Sequence, residues 1–156
     1  MALTTDGISH QIVSSLVTYK VDKLGTLNDC KVVMNHLIRK FSEPLSKEEL
    51  QQTYYSKELR KDTGFVKEHL VPVNEIMCYL LQIDLYDPKN IIAKNVKKYL
   101  SNALILVYIT KDEDNILNSC GFQRKMPQEY FDKQSNLFND TWARYKRSGI
   151  YNNIIH

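Results

Sequence analysis

The feature that most constrains the fold is an uninterrupted apolar run near the middle of the chain, from Ala103 to Ile109. The run is rich in branched and aromatic residues, which is typical of a strand covered on both faces. Thr110 and Glu113 follow at the spacing of a capping box, in which a hydroxyl and a carboxylate accept the free N–H groups of a helix start. The sequence therefore predicts a strand that passes directly into a short helix, which ends near Gly121.

Helical periodicity dominates the other segments. Ser46 and Glu49 repeat the capping-box spacing, which predicts a helix that begins there and runs to Asp62. Phe65 to Val71 is short and β-rich, and Pro72 lacks a backbone donor, so we expect an edge strand or an extended arm there. The other predicted helices cover residues 8–21, 28–41, 73–83 and 88–100, and a last segment around 142–147 with an extended end after it. We expect the helix over residues 73–83 to be buried.

Composition favours a compact domain, and the predicted helices and strands make it an α+β fold. The chain has 156 residues, 43% hydrophobic and 25% charged, which suffices for a core without disulfides. We expect one mostly helical domain over residues 1–156, with a helical part at 1–63, a small two-stranded core at 64–121 that carries a helical insertion, and a helix and tail at 122–156. Repeats and domain linkers are not evident.

Charge and cysteine content bound the setting. A net charge of +3 is too small to make nucleic-acid binding the default, although local clusters can still form a positive face. The three widely spaced cysteines suggest neither a disulfide framework nor a zinc ribbon, so we expect a reducing compartment. With no apolar run long enough to span a bilayer and no secretory pattern, we expect a soluble cytoplasmic protein without a membrane partner.

The most compact chemical motif is the segment Glu68-His69-Leu70-Val71-Pro72. It sets an acid beside a histidine where a short strand runs into a proline turn. A neutral imidazole with a pKa of about 6.5 can accept a proton near pH 7, and a carboxylate is a preferred ligand of Mg²⁺. The motif therefore indicates phosphodiester hydrolysis. The alternative is a surface acid next to a histidine that bonds a backbone carbonyl.

This segment resembles the opening of an HNH, or ββα-metal, endonuclease, and the resemblance covers at most residues 64–121. It implies a metal-dependent endonuclease that binds a divalent ion, with Mg²⁺ expected, and hydrolyses nucleic acid, with DNA expected as the substrate rather than RNA. By the same resemblance Glu68 holds the metal, His69 is the general base and Asn102 orients it. Asp114 completes the metal site, with Asn118 as the substitute one helical turn later.

Basic side chains supply the expected contacts to nucleic acid. Lys94, Lys97 and Lys98 are predicted to lie on the outer face of one helix, while Arg144 and Arg147, near Tyr145, match phosphate oxygens as guanidinium forks. The adjacent Tyr54 and Tyr55 can stack on bases or anchor in the core, and we expect burial.

Two other functions are compatible with the sequence. A non-catalytic interaction protein, such as an immunity or inhibitor protein, would only present a binding surface to a protein partner. A DNA-binding regulator would use the lysines at 94–98 and show salt-sensitive binding without a metal.

Overall fold

The computed structural model describes residues 3–43 and 53–156. Within these ranges the chain forms an α+β structure with six α-helices and four β-strands. The helices are α1 Thr5–Lys20, α2 Leu27–Phe41, α3 Val73–Gln82, α4 Lys89–Ala103, α5 Lys111–Ser119 and α6 Ala143–Ser148. The strands are β1 Thr53–Ser56, β2 Phe65–His69, β3 Leu106–Thr110 and β4 Ile154–Ile155. No helix in these two ranges has the length and apolar character that crossing a membrane requires.

The chain divides into two compact units, each made of two stretches of sequence. The first unit comprises Met1–Gln51 and Ile76–Asn102, and the second comprises Gln52–Glu75 and Ala103–His156. The prediction of a single domain over residues 1–156 stays a prediction.

The first unit is helical. Thr4 caps α1 by accepting the N–H of Gly7 at 3.0 Å, and Thr26 with Asp29 forms a capping box at the start of α2. The Lys20 ammonium donates to the carbonyls of Leu81 and Ile83, at 3.2 and 2.7 Å, and so stabilises the end of α3. The buried apolar residues on these helices include Ile12, Leu16, Met34, Ile38, Ile76, Leu80, Val96 and Leu100.

The second unit is built on a mixed sheet with the strand order β2-β3-β1-β4 among its described residues. Strand β3 is central, pairs antiparallel with β2 and parallel with β1, and β4 pairs antiparallel with β1. The predicted two-stranded core is therefore not confirmed, because the sheet has four strands. Its antiparallel pair β2 and β3 does lead directly into α5, as the resemblance implies.

The two faces of the sheet differ in what they contact. Successive strand residues point to opposite faces, and the registers fix which residues share a face. One face carries Val107, Ile109 and Ile154, which belong to the core of this unit together with Leu117 and Tyr145. We call the opposite side the aromatic face; its strand residues are Thr53, Tyr55, Phe65, Lys67, His69, Leu106, Tyr108, Thr110 and Ile155.

The start of α5 contains a buried carboxylate network. Glu113 is 3% exposed and closes the predicted capping box with Thr110, whose N–H and hydroxyl donate to Oε2 at 2.9 and 3.1 Å. The other oxygen, Oε1, accepts from the Ser56 hydroxyl at 2.8 Å and the Asn153 amide at 3.0 Å. One side chain thus ties α5 to the end of β1 and to the segment before β4.

Several predicted elements are confirmed, and others are corrected. The helices over 8–21, 28–41 and 88–100, the edge strand at 65–71 and the capped helix after Thr110 are confirmed. Ser46 and Glu49 lie outside the described residues, but the predicted continuation of their helix to Asp62 is wrong, because Thr53–Ser56 is a strand. The helix α3 is not wholly buried either, since Tyr79 on it is 50% exposed.

Candidate functional site

Glu68 and His69 occupy successive positions of β2, in regular antiparallel register with Val107 and Leu106. Their side chains therefore leave the sheet on opposite faces. Glu68 lies on the side of the unit's core, and His69 lies on the aromatic face. The predicted metal ligand and the predicted base are adjacent in sequence, but the strand directs their side chains to opposite faces of the sheet.

The Glu68 carboxylate is paired with a buried arginine. Arg144 Nη2 donates to Glu68 Oε2 at 2.9 Å, and the exposed fractions of the two side chains are 0% and 23%. The same nitrogen also donates to the His69 carbonyl. Arg144 Nε donates to the Leu70 carbonyl at 3.1 Å, and Nη1 donates to the Phe122 carbonyl at 3.0 Å. The guanidinium, which belongs to α6, therefore connects this helix to the end of β2 and to the loop that follows α5.

This burial corrects the prediction for Arg144. A side chain with no exposed surface, whose three guanidinium nitrogens all donate to protein acceptors, cannot also hold a phosphate. Arg147 is exposed, and its Nε pairs with Glu129 Oε1 at 2.9 Å. Such exposed pairs hold their partners weakly, and the predicted contact of Arg147 with nucleic acid stays a prediction.

Beside Arg144 lies a tyrosine with an unpaired hydroxyl. Tyr145 is fully buried, and its hydroxyl has no hydrogen-bond partner among the described atoms. Burial raises the pKa of Tyr145 far above its ordinary value, and the charges of Glu68 and Asp114 add to this. The Arg144 guanidinium opposes it, by its charge and by its nearness to the phenol oxygen. The phenol is therefore held neutral inside the unit.

We expect Tyr145→Phe to raise the free energy of unfolding by about 1 kcal/mol, because it removes an unpaired buried hydroxyl and keeps the ring. Urea denaturation of the two proteins measures the difference. A loss of stability in the variant would instead show that the hydroxyl is bonded in solution, for instance through a buried water.

The remaining predicted metal residues do not form a favourable magnesium site. Asn118 Nδ2 donates to Asp114 Oδ2 at 3.2 Å on the surface of α5. The positive guanidinium that holds Glu68 opposes a divalent cation at that carboxylate. Residues 3–43 and 53–156 contain no group of three or more His, Cys, Asp or Glu side chains that could hold a metal ion.

The other predicted site residues belong to the first unit. Asn102 is exposed in the last turn of α4, whereas His69 is part of the second unit. Lys94 and Lys98 are exposed and lie one turn apart on α4. Lys97 pairs with Asp6 through Nζ and Oδ2 at 3.0 Å. These lysines are thus placed on one helix, as predicted, without a described link to the other site residues.

The aromatic face presents a row of rings that sequence reasoning missed. Tyr55 on β1 stacks on Tyr108 of β3, with ring centroids 5.2 Å apart and an interplanar angle of 13°. Phe65 on β2 meets the same Tyr108 edge to face at 5.1 Å. Tyr55 is 51% exposed and Phe65 is 61% exposed. Of the two adjacent tyrosines, Tyr54 points toward the core and Tyr55 points to the aromatic face. The expected burial of both tyrosines is therefore wrong for Tyr55.

Comparisons with known proteins add no assignment. No protein-family model matches the chain, and neither the curated proteins nor the solved structures contain a significant match.

Proposed function

We propose that the protein binds nucleic acid without cleaving it, and that the aromatic face is its binding surface. The observation that carries the proposal is the composition of this face. Half-exposed aromatic rings lie beside an exposed lysine, Lys67, and no strand residue that points to this face in the described chain carries a carboxylate. Aromatic rings flanked by positive charge are the combination that non-specific nucleic-acid binders use.

The geometry of the predicted catalytic pair supports binding rather than hydrolysis. A general base and a metal ligand must reach the same scissile phosphate. His69 and Glu68 lie on opposite faces of β2, and Glu68 is already neutralised by Arg144. A protein that only binds nucleic acid, without a metal, does not need these two side chains to reach the same phosphate.

A metal-dependent nuclease with His69 as base is the second proposal. The observation that favours it is the order of β2, β3 and α5, with β2 and β3 antiparallel. The two proposals differ in their dependence on Mg²⁺ and on the imidazole.

One experiment separates the two proposals. Plasmid, linear duplex and single-stranded oligonucleotides are incubated with the protein in Mg²⁺ or in EDTA, and cleavage and binding are followed on gels. We expect binding that does not require Mg²⁺, weakens as salt rises and leaves every substrate intact. The His69→Ala variant should likewise leave every substrate intact in both buffers.

Two outcomes would contradict the proposal. Cleavage that requires Mg²⁺ and is lost in His69→Ala would establish the nuclease instead. A complete lack of salt-sensitive binding to any of these substrates would leave the protein-interaction alternative.

A further inference from the structure

We infer that the aromatic face takes single-stranded nucleic acid, whose bases stack on Tyr55 and Phe65 while a phosphate lies at Lys67. This inference rests on the proposed function and specifies its ligand. It differs from DNA bound at the lysines of α4, which is one of the arrangements that the sequence predicted.

The row of rings has the form of a stacking platform. Tyr108 lies in the middle, on the central strand β3, and contacts a ring on each neighbouring strand. The two outer rings, Tyr55 and Phe65, keep more than half of their surface exposed. Neighbouring strands lie about 4.8 Å apart, so the row extends across roughly 10 Å of the sheet, enough for more than one base.

An unpaired strand fits this surface better than a duplex does. Bases within a duplex are already stacked on their neighbours and do not present their faces, whereas unpaired bases can turn out onto aromatic side chains. A duplex is read by an element that enters a groove, such as a helix or a two-stranded ribbon. The rings of the aromatic face stand instead on adjacent strands of one sheet.

Two lysines supply positive charge beside the rings. Lys67 is exposed and lies on β2 directly opposite Tyr108, on the same face. Lys111 crosses Gly64, next to Phe65, so that a Cβ on that glycine would lie 3.2 Å from Lys111 Cε. An ammonium on a flexible stem is suited to a phosphate that is held without a fixed geometry.

Charge and ring character together favour nucleic acid over a protein partner. Ile155, 59% exposed, adds apolar surface that a protein could also cover. An apolar interface core, however, is depleted in lysine, whereas here Lys67 lies next to the central ring of the row. Rings with a lysine beside them match the bases and phosphates of a single strand.

The test is fluorescence anisotropy with a labelled oligonucleotide, as a single strand and annealed to its complement. We expect tighter binding of the single strand, with no change in EDTA. Tyr55→Ala and Phe65→Ala should each weaken single-strand binding by about tenfold, the effect of removing one stacked base. Lys67→Ala should weaken it less and reduce the slope of log K against log salt by about 0.7.

Matched controls come from the first unit. Tyr86 is 95% exposed, so Tyr86→Ala removes a ring that lies outside the row, and Lys31→Ala removes an exposed charge. We expect both variants to bind like the parent protein. Thermal unfolding followed by circular dichroism checks that each variant is folded, and any variant with a lowered Tm is replaced by Tyr55→Leu or Phe65→Leu.

The outcomes distinguish this inference from the proposed function. If binding survives the three face variants but is lost in Lys94→Ala and Lys98→Ala, the protein binds nucleic acid and the inference is wrong. Preferred binding of the duplex would also overturn the inference alone. If neither the single strand nor the duplex binds at any salt concentration, both the proposed function and this inference are wrong.

Discussion

Arg144→Ala is expected to lower the free energy of unfolding by about 3–5 kcal/mol, the loss found when one partner of a buried ion pair is removed. The alanine leaves Glu68 without its counter-charge. It also leaves the carbonyls of His69, Leu70 and Phe122 without the donors that they now have. Each buried acceptor without a partner adds a penalty. Chemical denaturation followed by Trp142 fluorescence measures the change.

Arg147→Ala is the matched control, because Arg147 lies three residues later on the same helix and is exposed. Its effect should stay below about 1 kcal/mol, as for other exposed ion pairs. Arg144→Lys should recover little of the loss, since a lysine lacks the planar fork that reaches several acceptors at once. Equal effects of the alanine changes at 144 and 147 would show that the buried network contributes nothing to stability.

Glu113→Ala is expected to cost about 3 kcal/mol or more, because it removes the acceptor of a charge-assisted network. The donors left behind are the Thr110 N–H and hydroxyl, the Ser56 hydroxyl and the Asn153 amide. Ser56 and Asn153 lie outside α5, so the damage reaches both β1 and the approach to β4. Thermal unfolding and hydrogen exchange at the β1 amides report the two effects separately.

Asp112→Ala is the control that removes a negative charge from the start of α5 and leaves the Glu113 network intact. Asp112 is exposed in the same first turn, and its loss should cost only the macrodipole contribution of about 0.3–1 kcal/mol. A double-mutant cycle with Thr110→Val measures how much of the Glu113 effect is the cap alone. If the cap accounts for all of it, the bonds to Ser56 and Asn153 are without energetic consequence.

The parts of the fold that could be predicted are those specified by neighbouring residues. The strand before Thr110 and the helix after it were predictable because the apolar run and the capping box lie within one short segment. Helices α1, α2 and α4 follow from apolar spacing in the same way. These signals are local, and they do not depend on which element packs against which.

The parts that could not be predicted depend on distant partners. Strand β1 has only four residues, Thr53 to Ser56, and it is held by β3 and β4 far along the chain. Thr53, Tyr54 and Tyr55 are residue types that favour strands, but a run of three is too short to define a strand without the packing of its neighbours. The predicted helix from Ser46 therefore continued through it in error, which also hid the exposed side of Tyr55.

The candidate catalytic site failed to assemble for a similar reason. Sequence adjacency made Glu68 and His69 look like one site, but a regular strand separates neighbours onto two faces. The true partner of Glu68 is Arg144, which nothing in the local sequence marks as buried. An arginine that lies between Trp142-Ala143 and Tyr145-Lys146 looks the same on a solvated helix as at the centre of a core.

The parallel pairing of β1 with β3 also affects how the sheet is made. Thr53 meets Leu106 and Ser56 meets Ile154 only after long loops of chain have closed. Such closure is paid in entropy before any contact is gained, which makes assembly slow relative to helix formation. During synthesis, strands β1 and β2 leave the ribosome well before their central neighbour β3. Until β3 follows, their backbone hydrogen-bonding groups lack the partners that β3 supplies and are hydrated instead.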